Sequence, residues 1–366
     1  MPPTPPIQRA GITEVPGVRV GHFERRGAGW RTGTTVVLTD GGAVASGEAR
    51  GGGPGTRETD LLAPAATMQR IDAICLSGGS AFGLAAADGV MSHLAAQLRG
   101  FRVGPAPEQV VPIVPAAVIF DLGRGGRFDR RPDAEFGRRA TERARGGPVT
   151  TGAVGAGTGA QAGWLQGGVG TARAQLADGT VVAALAVVNA AGRVIDPATG
   201  LPWFHAGSGL RRPPASERRA LAAYVDSCIA AAMPSQPSGS GGEATGGVAT
   251  PPLNTTIGVV ACSARLTKAE CHKLAQVAHD GLARAIRPVH SMFDGDTIFA
   301  LSTGAGELAE PPLPDHLAER GRAIAFNAVL EAGADCFAAA CTIGVVDARS
   351  SGGALAYRDL CPGAFG

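Results

Sequence analysis

Aromatic residues are scarce, at 5% of 366 positions, and charge of either sign is nearly cancelled, leaving a formal net charge of +2. That balance removes the broad positive field that nucleic acid or an anionic membrane would need, so neither is expected as a partner. The seven cysteines (Cys75, Cys228, Cys262, Cys271, Cys336, Cys341 and Cys361) include no CxxC pair. Buried, reduced thiols are expected rather than a zinc ribbon or a redox motif. The histidines are dispersed without an HExxH, which leaves zinc hydrolysis unsupported. No uninterrupted apolar run reaches about 18 residues, and the opening MPPTPPIQRAG has no apolar leader core. The expectation is a soluble cytoplasmic protein.

Phosphate and dinucleotide signatures are also missing. The stretch 152-GAVGAGTGAQAG-163 is rich in glycine but lacks the G-x-G-x-x-G spacing, and no Gly-Lys-Ser/Thr loop is present. No cofactor and no metal are expected. The stretch reads instead as a tight glycine loop lining a site.

What is present is a large apolar content, 45%, with 55 glycines for tight turns and close packing. Strands are expected over 12–24, 34–42, 71–80, 109–123 (broken by Pro112 and Pro115), 180–189, 255–262 and 297–303. Helical spacing covers about 82–98, 133–145, 215–232, 267–286 and 314–333. Thr267 with Glu270 three residues on forms a capping-box pattern. The run 336-CFAAACTIGVVDA-347 is compatible with helix or strand. No fixed-period repeat occurs. The class is α/β or layered α+β, in a single domain over 1–366 with one continuous core.

Five stretches could carry chemistry. A slack Gly/Ser/Pro segment, 233–253, feeds directly into Asn254-Thr255-Thr256 and an apolar strand. A threonine hydroxyl is a weak nucleophile, and a free α-amine on the same residue can activate it. That amine titrates near about 8, close to working pH. The chain must then be cut between Asn254 and Thr255; the plain alternative is a loop before an ordinary strand. Asp294-Gly295-Asp296 places two carboxylates two residues apart, on one face if the backbone is extended, where one should be held protonated by the other. A D-G turn explains the same letters. Asn189, at the end of an apolar strand, could donate to an oxyanion or form an Asx turn. The glycine loop at 152–163 is the fourth. The fifth, 77-SGGSAFG-83, misses the Gly-x-Ser-x-Gly elbow by one residue, with Phe82 where glycine is needed; Ser80 could instead cap a helix.

In order along the chain, 12-ITEVPGVRVGH-22, 51-GGGPGTRETDLL-62, 75-CLSGGSAFGLAAADGVM-91, 113-IVPAAVIFDLG-123, 153-AVGAGTGA-160, 194-VIDPATG-200, 254-NTTIGVVA-261, 265-RLTKAE-270 and 278-AHDGLARAIRPVHSMFDGDTIFALST-303 resemble the self-processing aminopeptidases of the DmpA type, with β-peptidyl aminopeptidases and nylon-oligomer hydrolases as relatives. The resemblance implies an N-terminal-nucleophile hydrolase with a four-layer α-β-β-α sandwich. It implies a precursor cut at Asn254–Thr255 into residues 1–254 and 255–366, with Thr255 as nucleophile. It further implies that Asp294 and Asp296 are catalytic carboxylates, that Asn189 serves the oxyanion, and that processed heterodimers assemble into a homo-oligomer, a tetramer or larger. The implied substrate is a short peptide or amide with a small free-amine end. Asp-Gly-Asp leans toward the nylon-oligomer hydrolases. One departure concerns 160-AQAGWLQGG-168, where Gly163 or Trp164 stands where relatives carry a Lys or Tyr. Two other functions fit parts of the sequence: a serine hydrolase using Ser80, and a non-catalytic small-molecule-binding protein of the same fold.

Overall fold

The computed structural model describes residues 5–205, 208–232 and 254–365; the slack segment 233–253 lies outside the described residues. Runs rich in Val, Ala and Thr build the sheet, and its central strands are buried on both faces. Among the described residues nine strands join in one hydrogen-bonded sheet. They are β1 (Val18–Gly27), β2 (Trp30–Ala49), β3 (Thr56–Arg57), β4 (Arg70–Ser77), β5 (Ala116–Val118), β6 (Gly168–Gln175), β7 (Val181–Asn189), β8 (Thr255–Ala264) and β9 (Thr297–Gly306). Their spatial order is β6-β7-β8-β9-β2-β4-β5-β3, with β1 paired to β2. The longer helices are α1 (Ala86–Ala96), α2 (Ala134–Glu142), α3 (Ala215–Ala232), α4 (Lys268–Ala285) and α5 (Gly321–Val346).

β2 belongs to both halves of the sheet. Its first part pairs with β1 and β4, and its last part pairs with β9. Between them the register with β4 shifts from Leu38 to Ala43, across Gly41 and Gly42 at φ 72° and 78°. Glycine takes that left-handed backbone without a Cβ clash, and such a bulge bends a strand. The glycines expected to end the strand therefore bend it and let it continue.

Alternation along the strands then gives four layers. Val37, Ile74 and Leu76 from one half share a buried cluster with Leu185, Val187, Ile257, Val259, Phe299 and Leu301 from the other. The two halves thus face each other. The opposite face of β2 and β4 (Val36, Leu38, Ala73, Cys75) packs on Val90 and Leu94 of α1 and Phe136 of α2. The opposite face of β7, β8 and β9 (Val182, Ala184, Val260, Ile298) packs on Leu274 and Leu282 of α4 and Phe337 and Val345 of α5. This is the expected α-β-β-α sandwich, its apolar core divided by the sheets into layers.

β7 and α3 lie where expected, and Thr267 and Glu270 form the capping box of α4. The ambiguous run at 336–347 is helical and continues α5. A helix buried on all sides has no polar face, so its apolar residues carry no 3.6-residue signature. Over Asp315–Val346 the chain is long and apolar enough to cross a membrane, yet its most apolar window is 83% buried inside the protein, as suits a core helix. Ser80 does not cap α1: it has φ 51°, and its N–H donates to the Ile119 carbonyl at 2.9 Å.

Candidate active site

The ends of three neighbouring strands meet. Asn189 closes β7 and stands opposite Thr255, the first residue of β8. β9 runs parallel to β8 and opens just after Asp296. Asn189, Asn254, Thr255, Asp294 and Asp296 are all buried, none more than 5% exposed. The structure brings together Asn189, Asn254, Thr255, Asp294 and Asp296.

The Thr255 hydroxyl donates to the carbonyl oxygen of Asn254, on the bond expected to break. The N–H of Gly295 reaches both atoms, at 3.2 Å to the Asn254 carbonyl oxygen and 3.2 Å to Thr255 Oγ1. A donor aimed at a carbonyl oxygen is placed to stabilise the negative charge that attack would develop there. Glycine is required at this position by space: a Cβ on Gly295 would stand 2.6 Å from the Gly53 carbonyl oxygen and 2.9 Å from Thr255 Oγ1.

Asp294 ends a turn that begins at Ser291 and bridges Asn254 in parallel, and Asp296 directly precedes β9. Asp294 Oδ2 accepts the N–H of Ser291 at 3.1 Å and also binds the Ser291 hydroxyl, closing the turn before β9. Asp296 Oδ1 accepts the N–H of Thr256 at 2.7 Å, while Oδ2 accepts the backbone N–H of His290 at 3.1 Å and its Nδ1 at 2.8 Å. A carboxylate only accepts, so Nδ1 of His290 carries the proton. Burial, with the charge of Asp296 adding to it, raises the pKa of Asp294. His279 stacks edge-on against His290 at 4.8 Å, and burial lowers its pKa to about 4. The 51–53 glycines hold this turn from outside: Gly53 N–H donates to the Asp294 carbonyl at 2.8 Å and Gly52 N–H to that of Ser291 at 3.2 Å.

Asn189 is not an Asx turn. Its Oδ1 accepts from Arg124 Nη1 at 2.7 Å and from the Gln161 N–H at 3.0 Å, and its Nδ2 donates to the Phe120 carbonyl at 3.2 Å. Two donors facing Oδ1 fix the orientation of the amide. A second nitrogen of Arg124, Nη2, donates to Asn254 Oδ1 at 3.0 Å. Gly163 and Trp164, at φ 53° and 76°, form the turn between the paired segments Gln161–Ala162 and Leu165–Gln166. The cation beside Asn189 comes instead from the loop after β5. Arg124 and His290 were missed in the sequence reading, as was the donor role of the Gly295 N–H. An arginine between glycines in 121-DLGRGGR-127, at the end of an apolar run, was the available signal for Arg124. Among the described residues, no histidine or carboxylate hydrogen-bonds the hydroxyl of Ser80, so no serine triad forms there.

The chain matches peptidase family S58 over residues 10–357. A protein described as an uncharacterized aminopeptidase of Mycobacterium tuberculosis is 50% identical over 367 residues, covering 97% of this chain and 99% of the relative. A 6-aminohexanoate-oligomer endohydrolase of Kocuria sp. is 31% identical over 309 residues, 82% of this chain and 76% of the relative. The fold is shared with a Burkholderia sp. beta-aminopeptidase, with a TM-score of 0.64, 22% identity, and 98% and 92% of the two chains covered. It is also shared with an L-aminopeptidase D-Ala-esterase/amidase of Ochrobactrum anthropi described as a variant of the Ntn hydrolase fold, with a TM-score of 0.59, 18% identity, and 95% and 88% covered.

Proposed function

The chain belongs to peptidase family S58 and hydrolyses amide or peptide bonds, and from that premise we propose that it activates itself by cutting between Asn254 and Thr255. The observation that carries this is the contact of the Thr255 hydroxyl with the Asn254 carbonyl, with the Gly295 N–H on both oxygens. Thr255 Oγ attacks the Asn254 carbonyl carbon, and its proton passes to the Thr255 nitrogen as the C–N bond breaks. The product is an ester of Asn254 on Oγ and a free α-amine. Water then adds to the ester carbon, and Oγ leaves with a proton. Residue 254 ends as a carboxylate, and Thr255 has both a hydroxyl and an amine. That amine, titrating near about 8, is the base for turnover.

In turnover Oγ attacks a substrate amide carbon, the amine passes the Oγ proton to the departing amine, and water releases the acyl group. Asp296 holds the β8 terminus through the Thr256 N–H, and together with Asp294 it orients the amine and the hydroxyl of Thr255. Asn189 contributes its second amide N–H to the oxyanion. The substrate class is a short peptide or amide with a free amine on its acyl side. A second reading, 6-aminohexanoate-type oligomers, is favoured by Asp294-Gly295-Asp296 and by the name of the Kocuria relative. The active form is a cytoplasmic homo-oligomer of processed heterodimers.

Denaturing electrophoresis with intact mass, and N-terminal sequencing of the smaller chain, tests the cut. A small chain beginning Thr-Thr-Ile-Gly-Val is expected, and Thr255→Ala should stay whole and inactive. A Thr255→Ala protein that still splits at this bond overturns the proposal. Release of the leaving amine from amino-acid amides against 6-aminohexanoate oligomers decides between the two substrate readings.

A further inference from the structure

We propose that Arg124 is a positioning residue for the self-cleavage, clamping the side chain of Asn254 against the end of β7; this rests on the cut proposed above. The guanidinium is planar and forked, so two of its nitrogens can bind two fixed acceptors at once. Here one nitrogen holds Asn189 Oδ1 at 2.7 Å and another holds Asn254 Oδ1 at 3.0 Å. Asn189 is opposite Thr255 in the ladder. A single rigid group therefore ties the residue on the acyl side of the bond to the strand that pairs with the nucleophile. With its side chain held, Asn254 has fewer rotamers and its carbonyl stays against the Thr255 hydroxyl, which is how orientation lowers a barrier without touching the reacting atoms.

The loop that delivers Arg124 is built for this. Arg31 donates to the Arg124 carbonyl at 2.6 Å, and Arg124 N–H donates to the Asp121 carbonyl at 3.3 Å. Asp121 Oδ1 in turn accepts the N–H of Gly79 at 2.7 Å. A Cβ on Gly78 would stand 2.2 Å from Asp121 Oδ2, so the bare backbone at 78 lets the aspartate come close. The motif 77-SGGSAFG-83, which the hydrolase reading left without work, is thereby the seat of the Asp121–Arg124 loop. Asp121 is also the buried counter-charge between Arg31 and Arg124. Phe120 supports the guanidinium from one side, at 5.5 Å to the ring centroid.

The test follows precursor decay in cell-free translation, by intact mass against time, for four chains: the natural one, Arg124→Met, Asn254→Ala and the double variant. Arg124→Met should slow the cut about ten- to a hundredfold, what hydrogen bonds to a charged group are worth. In the Asn254→Ala background the same change should cost less than about twofold, because Arg124 then no longer holds the residue on the acyl side of the bond, although it still meets Asn189. A merely structural arginine would cost the same factor in both backgrounds, and that result overturns the inference, as does a natural rate in Arg124→Met. Arg124→Lys, which can satisfy only one acceptor well, should fall between; if Arg124→Met does not fold, the same cycle is run with Lys. If the natural chain itself never cuts, the proposed function fails; if it cuts and the cycle shows no coupling, only the clamp fails.

Discussion

Gly295→Ala separates the chemistry from the fold. Gly295 does not use positive φ, so alanine is allowed there by its backbone. The whole cost is steric. The new Cβ would stand 2.6 Å from the Gly53 carbonyl oxygen and 2.9 Å from Thr255 Oγ1, closer than Cβ contacts are found. Relief needs a shift of several tenths of an ångström of the nucleophile, the 51–53 loop, or the Gly295 peptide that donates to both reacting oxygens. Losing one oxyanion donor typically costs about 10²–10³ in rate, and a displacement near 1 Å about 10². A self-cleavage rate down about a hundredfold is expected, equivalent to about 2.7 kcal/mol of barrier. Overpacking should lower stability by only about 1–3 kcal/mol. Quenched time points by intact mass give the rate, and a thermal melt of the uncut chain gives the stability. A Gly295→Ala chain that cuts within about threefold of the natural rate would refute the assignment of this N–H to the scissile carbonyl.

Two further outcomes follow from the geometry. Ser80→Ala should leave amide hydrolysis within about twofold, since among the described residues no base meets its hydroxyl; loss of activity in a folded, self-cut Ser80→Ala protein would restore the serine-hydrolase alternative. His279 is buried and neutral, its pKa lowered by burial to about 4 against about 6.5 in an unfolded chain. A depressed pKa gives stability that is whole above about 6.5 and lost as pH falls through about 4, here up to about 3 kcal/mol. Asp121 acts oppositely: burial raises its pKa to about 6, so it favours the folded state more as pH falls toward 4. His279→Gln can still donate to the Glu48 carbonyl that Nε2 meets at 3.0 Å. Between pH 6.5 and 4 it should flatten the acid limb of melting temperature, and an unchanged limb would contradict a neutral buried His279.

The parts of the site carried by local pattern were legible. Asn189 ends a clean apolar run, and Thr255 opens one. The Asp-Gly-Asp letters stand where they were read, beside Thr255 and just before β9. The parts made by distant segments were not. Arg124 lies 65 residues from Asn189 and 130 from Asn254 along the chain, and no periodicity joins them. His290 lies only four residues before Asp294, but its place at the site comes from its two hydrogen bonds to Asp296 Oδ2, which no sequence pattern announces. The length of β2 was hidden because Gly41 and Gly42 carry the letters of a turn while acting as a bulge. The four layers came from family resemblance; the residues alone gave only a layered α/β class.

The sheet topology explains why Thr255 sits at this edge and why the proposed cut there need not unravel it. β7 is antiparallel to β8, and β9 is parallel to it. The end of β7 and the starts of β8 and β9 must therefore coincide. β2 is antiparallel to β9, so its last residue, Ala49, arrives opposite Thr297 and delivers the 51–53 glycines to the Ser291–Asp296 segment. Four strand ends thus supply Asn189, Thr255, the carboxylates and the loop that braces them. β8 has a partner on each side, and all ten of its residues are buried. Breaking the peptide bond before Thr255 removes no ladder hydrogen bond between β8 and β7 or β9. The same pairing sets the position of Thr255 whether or not the bond before it is intact, so in the proposed cut chain the geometry that aligns the hydroxyl for its own carbonyl would be retained for the next one.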